Sequence, residues 1–309
     1  MNNNCDYIVK EGFSPKKLNT YNKNDGEGLF LLFMIILNIY FITSGNFKNN
    51  IGPILLLCII ISFYVINKRI RLLYIFSALL TLFIRTPPFL NMKEYFSENE
   101  LFENNFEEIK KEVNQLLEDT NNGNKIDFTR DTLVVDEDKD KNIRNKNNSN
   151  KNDEGWKIYP IRLASKNVNT AKHNFPKLTE LLDQCPHISS CLVSILDGKT
   201  YIPVHNGYYK GFLRYMLPIT IPKEYPNEVF LCNNYQKYNW VEGKGVLWDD
   251  LYPHKVYNNT SQKRIVLYMD VERKLPTPFN ILNKKIINLI SKSSRVKEEV
   301  KRLEKKYKL

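Results

Sequence analysis

No CxxC pair, no GxxxxGK[ST] loop and no GxSxG elbow occurs in the 309 residues. A thiolate zinc site, P-loop nucleotide hydrolysis and α/β-hydrolase chemistry therefore lack their sequence supports. Cysteine is sparse and odd in number: Cys5, Cys58, Cys185, Cys191 and Cys232 are scattered without the spacing of a disulfide framework. Cys185 and Cys191 are near enough in sequence to bridge in an oxidising lumen or to stay reduced, and Cys58 lies in an apolar run where a thiol packs as a small hydrophobe. Histidine is scarcer still, with four residues. Acidic residues are outnumbered, 34 against 45 Lys and Arg, for a net charge of +11. Much of that excess sits in the last thirty or so residues, which reads as contact with anionic lipid or solvent rather than nucleic acid.

What is plentiful is unevenly spread. The runs Leu29–Ile42 and Ile51–Ile66 contain no charged residue, and with their flanks each approaches the ~20 residues that a helix needs to cross ~30 Å of hydrocarbon. A third run, Leu72–Ile84, is fenced by Arg71 and Arg85 and is short for a crossing; spanning, re-entrant and interfacial placements are all open. Lys10, Lys16, Lys17 and Lys23 before the first run, with Lys68, Arg69 and Arg71 after the second, put the N-terminus and that loop inside. The side of whatever follows depends on the third run. Sequons at Asn147, Asn258 and Asn259 arise readily by chance in so Asn-rich a chain.

Beyond the anchor, ELFENNFEEIKKEVNQLLE (residues 100–118 with Glu98 before it) places Leu101, Phe102, Phe106, Ile109, Val113, Leu116 and Leu117 at helical spacing. Residues 121–155 are charged and Asn-rich, as in a linker. From Trp156 onward, short apolar stretches alternate with turn signals, the pattern of an all-β sandwich or barrel, with one helix expected over Pro176–Gln184. The expected organisation is a tail (1–27), a membrane anchor of two or three transmembrane segments (28–90), a helix and polar linker (91–155), a β domain (156–276) and a basic helical tail (277–309).

Two histidines, His205 after TYIPV and His254 before KVYN, adjoin strand-like segments. Imidazoles fixed on a rigid β scaffold suit a transition metal, although structural histidines are commoner. The residue two after His205 is Gly207, where a 2-His-1-carboxylate iron site carries an acid.

The surroundings go further. HNG followed by GFLRY, the WVEGK segment, DDLYPH, and Arg264 ten positions beyond His254 stand in order between about Phe175 and Pro276. This set resembles the aspartyl/asparaginyl β-hydroxylase family, including its lipid A hydroxylase relatives. The resemblance implies a mainly β, double-stranded β-helix of jelly-roll or cupin-like form, and Fe(II)- and 2-oxoglutarate-dependent hydroxylation of an unactivated C–H. It makes His205 and His254 the iron ligands with no protein carboxylate, Gly207 a family feature, and Arg264 the cation for the distal carboxylate of 2-oxoglutarate. Ser194 and Arg214 match further cosubstrate contacts. One departure is Met216, where relatives carry a histidine that methionine cannot replace as a donor. Asp249 and Asp250 read equally as a solvated turn or as support for the metal site, and Trp240, Glu242 and Gly243 as a structural turn. The expected substrate is a protein Asp or Asn side chain, with a membrane lipid acyl chain or a noncatalytic relic of the fold as alternatives.

Overall fold

The computed structural model describes residues 5, 33, 36, 72–121, 155–207, 209–223, 226–292, 297, 298, 300 and 301. The runs Leu29–Ile42 and Ile51–Ile66 lie outside these apart from Phe33 and Ile36, as does most of the expected linker. Among the described residues, no helix is long and apolar enough to cross a membrane.

The β block folds as two antiparallel sheets. Strands β1 (Trp156–Leu163), β2 (Lys166–Asn167), β3 (Ile188–Leu196), β5 (Phe212–Thr220), β8 (Val246–Trp248) and β10 (Arg264–Glu272) form one sheet in the order β2-β1-β3-β10-β5-β8. Strands β4 (Thr200–His205), β6 (Val229–Asn233), β7 (Gln236–Asn239) and β9 (His254–Asn258) form the other in the order β4-β9-β6-β7. The two-residue alternation of a strand sorts the side chains. On β10, Val266 and Tyr268 join Leu192, Leu196, Met216, Trp248, Leu231 and Val256 in a core shared by both sheets. Ile265, Leu267, Met269 and Val271 point to the other face, under the helices.

That second core explains the segment before the β block. Helices α2 (Met92–Tyr95), α3 (Asn99–Asn104) and α4 (Phe106–Asn121) send Phe96, Phe102, Ile109, Val113 and Leu116 onto the outer face of the larger sheet. They meet Leu178, Leu181 and Leu182 of α6 (Pro176–Gln184), which follows the short α5 (Asn169–Asn174). The single amphipathic helix expected over these residues is in fact interrupted at Asn105. So residues 92–121 are part of the folded body rather than a spacer leading to it.

The third apolar run also has a place. It forms α1 (Leu72–Phe83), twelve residues or ~18 Å long, and it docks on the β body beside α7 (Phe279–Lys292). Leu80 packs with Tyr209, Phe212, Leu275, Ile286 and Ile287, and Ser77 Oγ accepts a hydrogen bond from the Lys210 amide at 3.0 Å. Of the placements left open for this run, the structure shows a helix packed against the β body through Leu80 and Ser77. After α1 the chain runs along β8, with Leu90 N donating to Leu247 O (2.9 Å) and Asp249 N to Pro88 O (2.9 Å).

Cys5 and Cys232 form a disulfide, 227 residues apart in sequence, against Phe230 on the outer face of the smaller sheet. Cys185 and Cys191 are buried free thiols and do not pair with each other. The Cys5–Cys232 bond is one the sequence did not indicate, since a pair so distant leaves no spacing pattern to read. Peptide mapping without reduction is expected to recover Cys5 and Cys232 in one cross-linked species; independent alkylation of the two would contradict the bond.

Candidate active site

His205 ends β4 and His254 begins β9, and the two residues are directly paired across the strands. Strict alternation from Ile202, which faces the shared core, would turn Val204 inward and His205 outward. A register shift between Ile202 and His205 reverses this: Val204 packs with the cluster around the disulfide, and the His205 ring lies 4.0 Å from that of His254, centroid to centroid. This is the re-aiming of a side chain that a β-bulge accomplishes.

The tautomer of His254 follows from its partner. Nδ1 lies 2.8 Å from the carbonyl oxygen of Tyr252, which can only accept, so Nδ1 carries the proton and Nε2 keeps its lone pair. Burial, reinforced by the neighbouring His205, holds the His254 pKa well below the ordinary histidine value. A neutral imidazole with a fixed tautomer is what a metal requires of this side chain. Trp248 closes one side, its ring edge-on to His254 at 4.7 Å.

Gly207 has a steric cause. A Cβ at this position would stand 2.3–2.5 Å from the carboxylate atoms of Asp250, and the Gly207 amide donates to the Asp250 carbonyl at 2.7 Å. The carboxylate of the neighbouring loop therefore fills the space that a side chain at 207 would need. Asp250 Oδ2 in turn accepts from Arg214 Nη2 at 2.6 Å. Burial pushes the Asp250 carboxyl up to about 6 against the pull of Arg214, with Asp270 and Asp249 adding to the rise.

Asp249 points the other way, into a charge cluster that the sequence did not disclose. Lys210 Nζ (2.7 Å), Arg273 Nη2 (2.9 Å) and Thr86 Oγ1 (2.6 Å) all reach its Oδ2. Burial alone would raise this carboxyl, but Arg273 and Lys210 overcome it and hold the group well below the usual carboxylate range. The four residues come from four separate segments, so no spacing could announce them; the cluster pins the loop that leads to His254. Asp249 and Asp250 are thus buried and paired rather than a solvated turn.

The larger sheet faces the same interior with two arginines in different states. Arg214 is committed: besides Asp250, its Nε lies 3.1 Å from Asp270 Oδ1, and its guanidinium covers the Tyr268 ring at 3.7 Å. Arg264 is 1% exposed, yet its Nη2 has only a long 3.4 Å contact with Ser194 Oγ. Its Nε and Nη1 have no hydrogen-bond partner among the described residues. Burial lowers its pKa to about 9. Ser194 Oγ also accepts from Trp156 Nε1 at 2.9 Å, a contact that sequence reasoning missed. Trp240, whose ring lies 5.5 Å from the Arg264 guanidinium, likewise has an unpartnered indole N–H among the described residues. A desolvated guanidinium with unused donors is a costly arrangement for a protein to keep without an anion to receive them, and a carboxylate fits it in charge and in planar geometry.

Among the described residues, no group of three or more His, Cys, Asp and Glu side chains is placed to hold one ion. No acidic side chain among the described residues joins His205 and His254 as a third member. Met216 is buried in the core between the sheets, and Glu242 and Gly243 form a tight turn closed by the Lys244 N to Val241 O bond at 3.1 Å. Glu242 accepts from the Ile221 amide and pairs with Lys110 of α4.

Comparison with known proteins identifies a family. The profile described as aspartyl/asparaginyl beta-hydroxylase matches residues 103–274, more than half of the chain and beginning well upstream of the motifs that carry the resemblance. The chain is 30% identical over 135 residues to the ornithine lipid ester-linked acyl 2-hydroxylase of Rhizobium tropici, over 43% of this chain and 48% of that protein. It is 28% identical over 144 residues to the aspartyl/asparaginyl beta-hydroxylase of Homo sapiens, over 45% of this chain and 18% of that one. The match thus spans about half or less of the curated relatives, which are hydroxylases by name. Among solved structures, an oxidoreductase of the 2OG-Fe(II) oxygenase family from Burkholderia pseudomallei overlaps 38% of this chain and 69% of its own at 13% identity, with a TM-score of 0.32. Superposition that partial has no weight in the assignment. With the family profile covering most of the folded body and the HNG, GFLRY and DDLYPH segments gathered in one interior, the chain belongs to the aspartyl/asparaginyl β-hydroxylase family.

Proposed function

We propose that this protein is a membrane-anchored hydroxylase that uses Fe(II) and 2-oxoglutarate. The observation that carries the reading is the facing pair His205 and His254 in the same interior as a buried guanidinium, Arg264, with donors to spare. His205 and His254 hold the iron, His254 through the Nε2 lone pair left by its Nδ1–H bond to Tyr252. Arg264, with Ser194 beside it, binds the distal carboxylate of 2-oxoglutarate, and Arg214, steadied by Asp250 and Asp270, is the second cation of that pocket. Bound together, iron, 2-oxoglutarate and dioxygen supply the oxidising power to hydroxylate an unactivated C–H. The chain's own part is positional: Trp248 and the buried wall around it shield His254 from water, and the Lys210–Asp249–Arg273 cluster fixes the loop from which His254 projects. Met216 gives this pocket an apolar wall in place of a donor. The anchoring reading is supported by the two uncharged runs Leu29–Ile42 and Ile51–Ile66.

The purified full-length chain in detergent, kept anaerobic, is expected to develop a visible absorption band only when both Fe(II) and 2-oxoglutarate are added. His205→Ala and His254→Ala should each lower iron affinity more than about 100-fold, beyond the 10–100-fold typical of residues that only support a ligand. A band that survives both changes would rule out the histidine pair as the iron site.

The substrate divides the family. The sequence reading leans to a protein Asp or Asn side chain, as in the human relative's name. The bacterial relative, aligned over 48% of its length, acts by its name on a lipid-linked acyl group, and that chemistry suits a domain whose α1 begins five residues after an apolar run. We favour the acyl chain of a membrane lipid. Mass spectrometry of lipids and proteins from cells expressing active chain or His254→Ala separates the two classes by which one gains 16 mass units per oxygen added.

A further inference from the structure

Eight large hydrophobic side chains are prominently exposed among the described residues, and their location is not random. Two, Phe33 and Ile36, belong to the first apolar run. Four more lie on the paired helices α1 and α7: Leu82, Phe83 at 61%, Ile281 and Leu289 at 69% exposure. The two helices meet where the Phe83 and Phe279 rings approach to 5.1 Å. Buried residues of each, Leu80 on α1 and Ile286 and Ile287 on α7, are already spent on the β body. The outward face of α7 carries Lys284, Lys285 and Lys292 beside Ile281 and Leu289, and Arg85 follows α1; neither helix contains an acidic residue.

From this we infer that the outer face of the α1–α7 layer lies on an anionic bilayer surface, with Phe83 and Leu289 in the headgroup and acyl boundary and the lysines and Arg85 at the lipid phosphates. Apolar side chains interspersed with cations on one helical face are the composition that sits in a membrane interface. The position of the face in the chain favours a bilayer over another protein, because α1 begins five residues after an uncharged run that ends at Ile66, and those five include Lys68, Arg69 and Arg71. The inference rests on the anchoring of the apolar runs but not on the oxygenase reading. It also makes the third apolar run a helix lying along the membrane, so that the runs before it alone set the side on which the catalytic body stands.

The test uses the full chain in a Cys58→Ser background, reconstituted in vesicles of phosphatidylcholine with or without phosphatidylglycerol. Nitroxide labels are placed by Phe83→Cys, Leu289→Cys and, as a distant exposed control, Val241→Cys. Accessibility to dissolved oxygen relative to a water-soluble nickel chelate is expected to be several-fold higher at 83 and 289 than at 241. The difference should be larger in anionic vesicles and should shrink when Lys284 and Lys285 are changed to Glu. Labels at 83 and 289 as open to nickel as the one at 241 would overturn the inference. So would labels shielded from both reagents, the mark of cover by a second copy or by the N-terminal segment. Equal ratios in neutral and anionic vesicles would remove the anionic lipid from it. A chain that does not partition with vesicles at all overturns the anchoring as well, whereas loss of hydroxylation with the labels still deep touches only the proposed chemistry.

Discussion

Arg264→Met is expected to weaken 2-oxoglutarate binding about thirty-fold or more while leaving the unliganded protein at least as stable as before. The two halves of this result have one cause. Among the described residues, Arg264 is a buried cation without a carboxylate partner, and its Nε and Nη1 are unmatched. Methionine of similar length keeps most of the packing and removes a desolvated charge, a change that is often neutral or stabilising. On the proposed function the same change also removes the charge partner of 2-oxoglutarate, which at a buried site costs roughly 2–5 kcal/mol, a loss of about thirty-fold or more in affinity. A thermal-shift titration reads both: an unchanged or higher melting temperature without ligand, and no rise from 2-oxoglutarate beyond that given by Fe(II) alone. A marked fall in the unliganded melting temperature would mean that Arg264 is a structural cation with a partner of its own, and would remove the main support for the carboxylate site. Ser194→Ala is the milder companion, because Trp156 and Arg264 lose an oxygen but the charge stays.

The inward-facing set was legible where periodicity and motif agreed. Counting alternate residues from Arg264 gives Val266, Tyr268 and Asp270, and the structure turns this row to the interior; Ser194 on β3 and Arg214 on β5 sit on the same face of their sheet, beside Leu192 and Met216. What could not be read was whatever depended on a break in period or on distant segments meeting. The shift before His205 has only Pro203, a poor member of a regular ladder, as its trace in the sequence. The Leu72–Ile84 run reads alike whether lipid or protein covers it, so its contacts with Tyr209, Phe212 and Ile286 could not be read from the sequence, although its short length and flanking arginines set it apart from the two uncharged runs. The Thr86, Lys210, Asp249 and Arg273 cluster had no signal, since each residue alone resembles an ordinary surface group. The Cys5–Cys232 bond was hidden in the same way.

If His205 and His254 hold iron as proposed, Gly207→Asp looks like a simple repair, since it would supply the acidic residue common beside iron. The geometry predicts the reverse: this change should inactivate the site and destabilise the fold. A Cβ at 207 meets the Asp250 carboxylate at 2.3–2.5 Å, so even Gly207→Ala overpacks a buried position, a change that typically costs about 1–3 kcal/mol. A second carboxylate adds like charge beside a group that burial and its acidic neighbours already push up to about 6. Neither side can yield without cost, because Gly207 is two residues from His205 and Asp250 four from His254, and Asp250 is also tied to Arg214. Gly207→Asp is therefore expected to melt lower and to lose iron binding as fully as His205→Ala. Combining it with Asp250→Ala opens the space and returns a carboxylate near Arg214, so the double variant should regain both folding stability and part of the iron affinity. A single Gly207→Asp variant that binds iron as tightly as the parent would show that Asp250 does not fill this space, and the steric account of the HxG motif would fall with it.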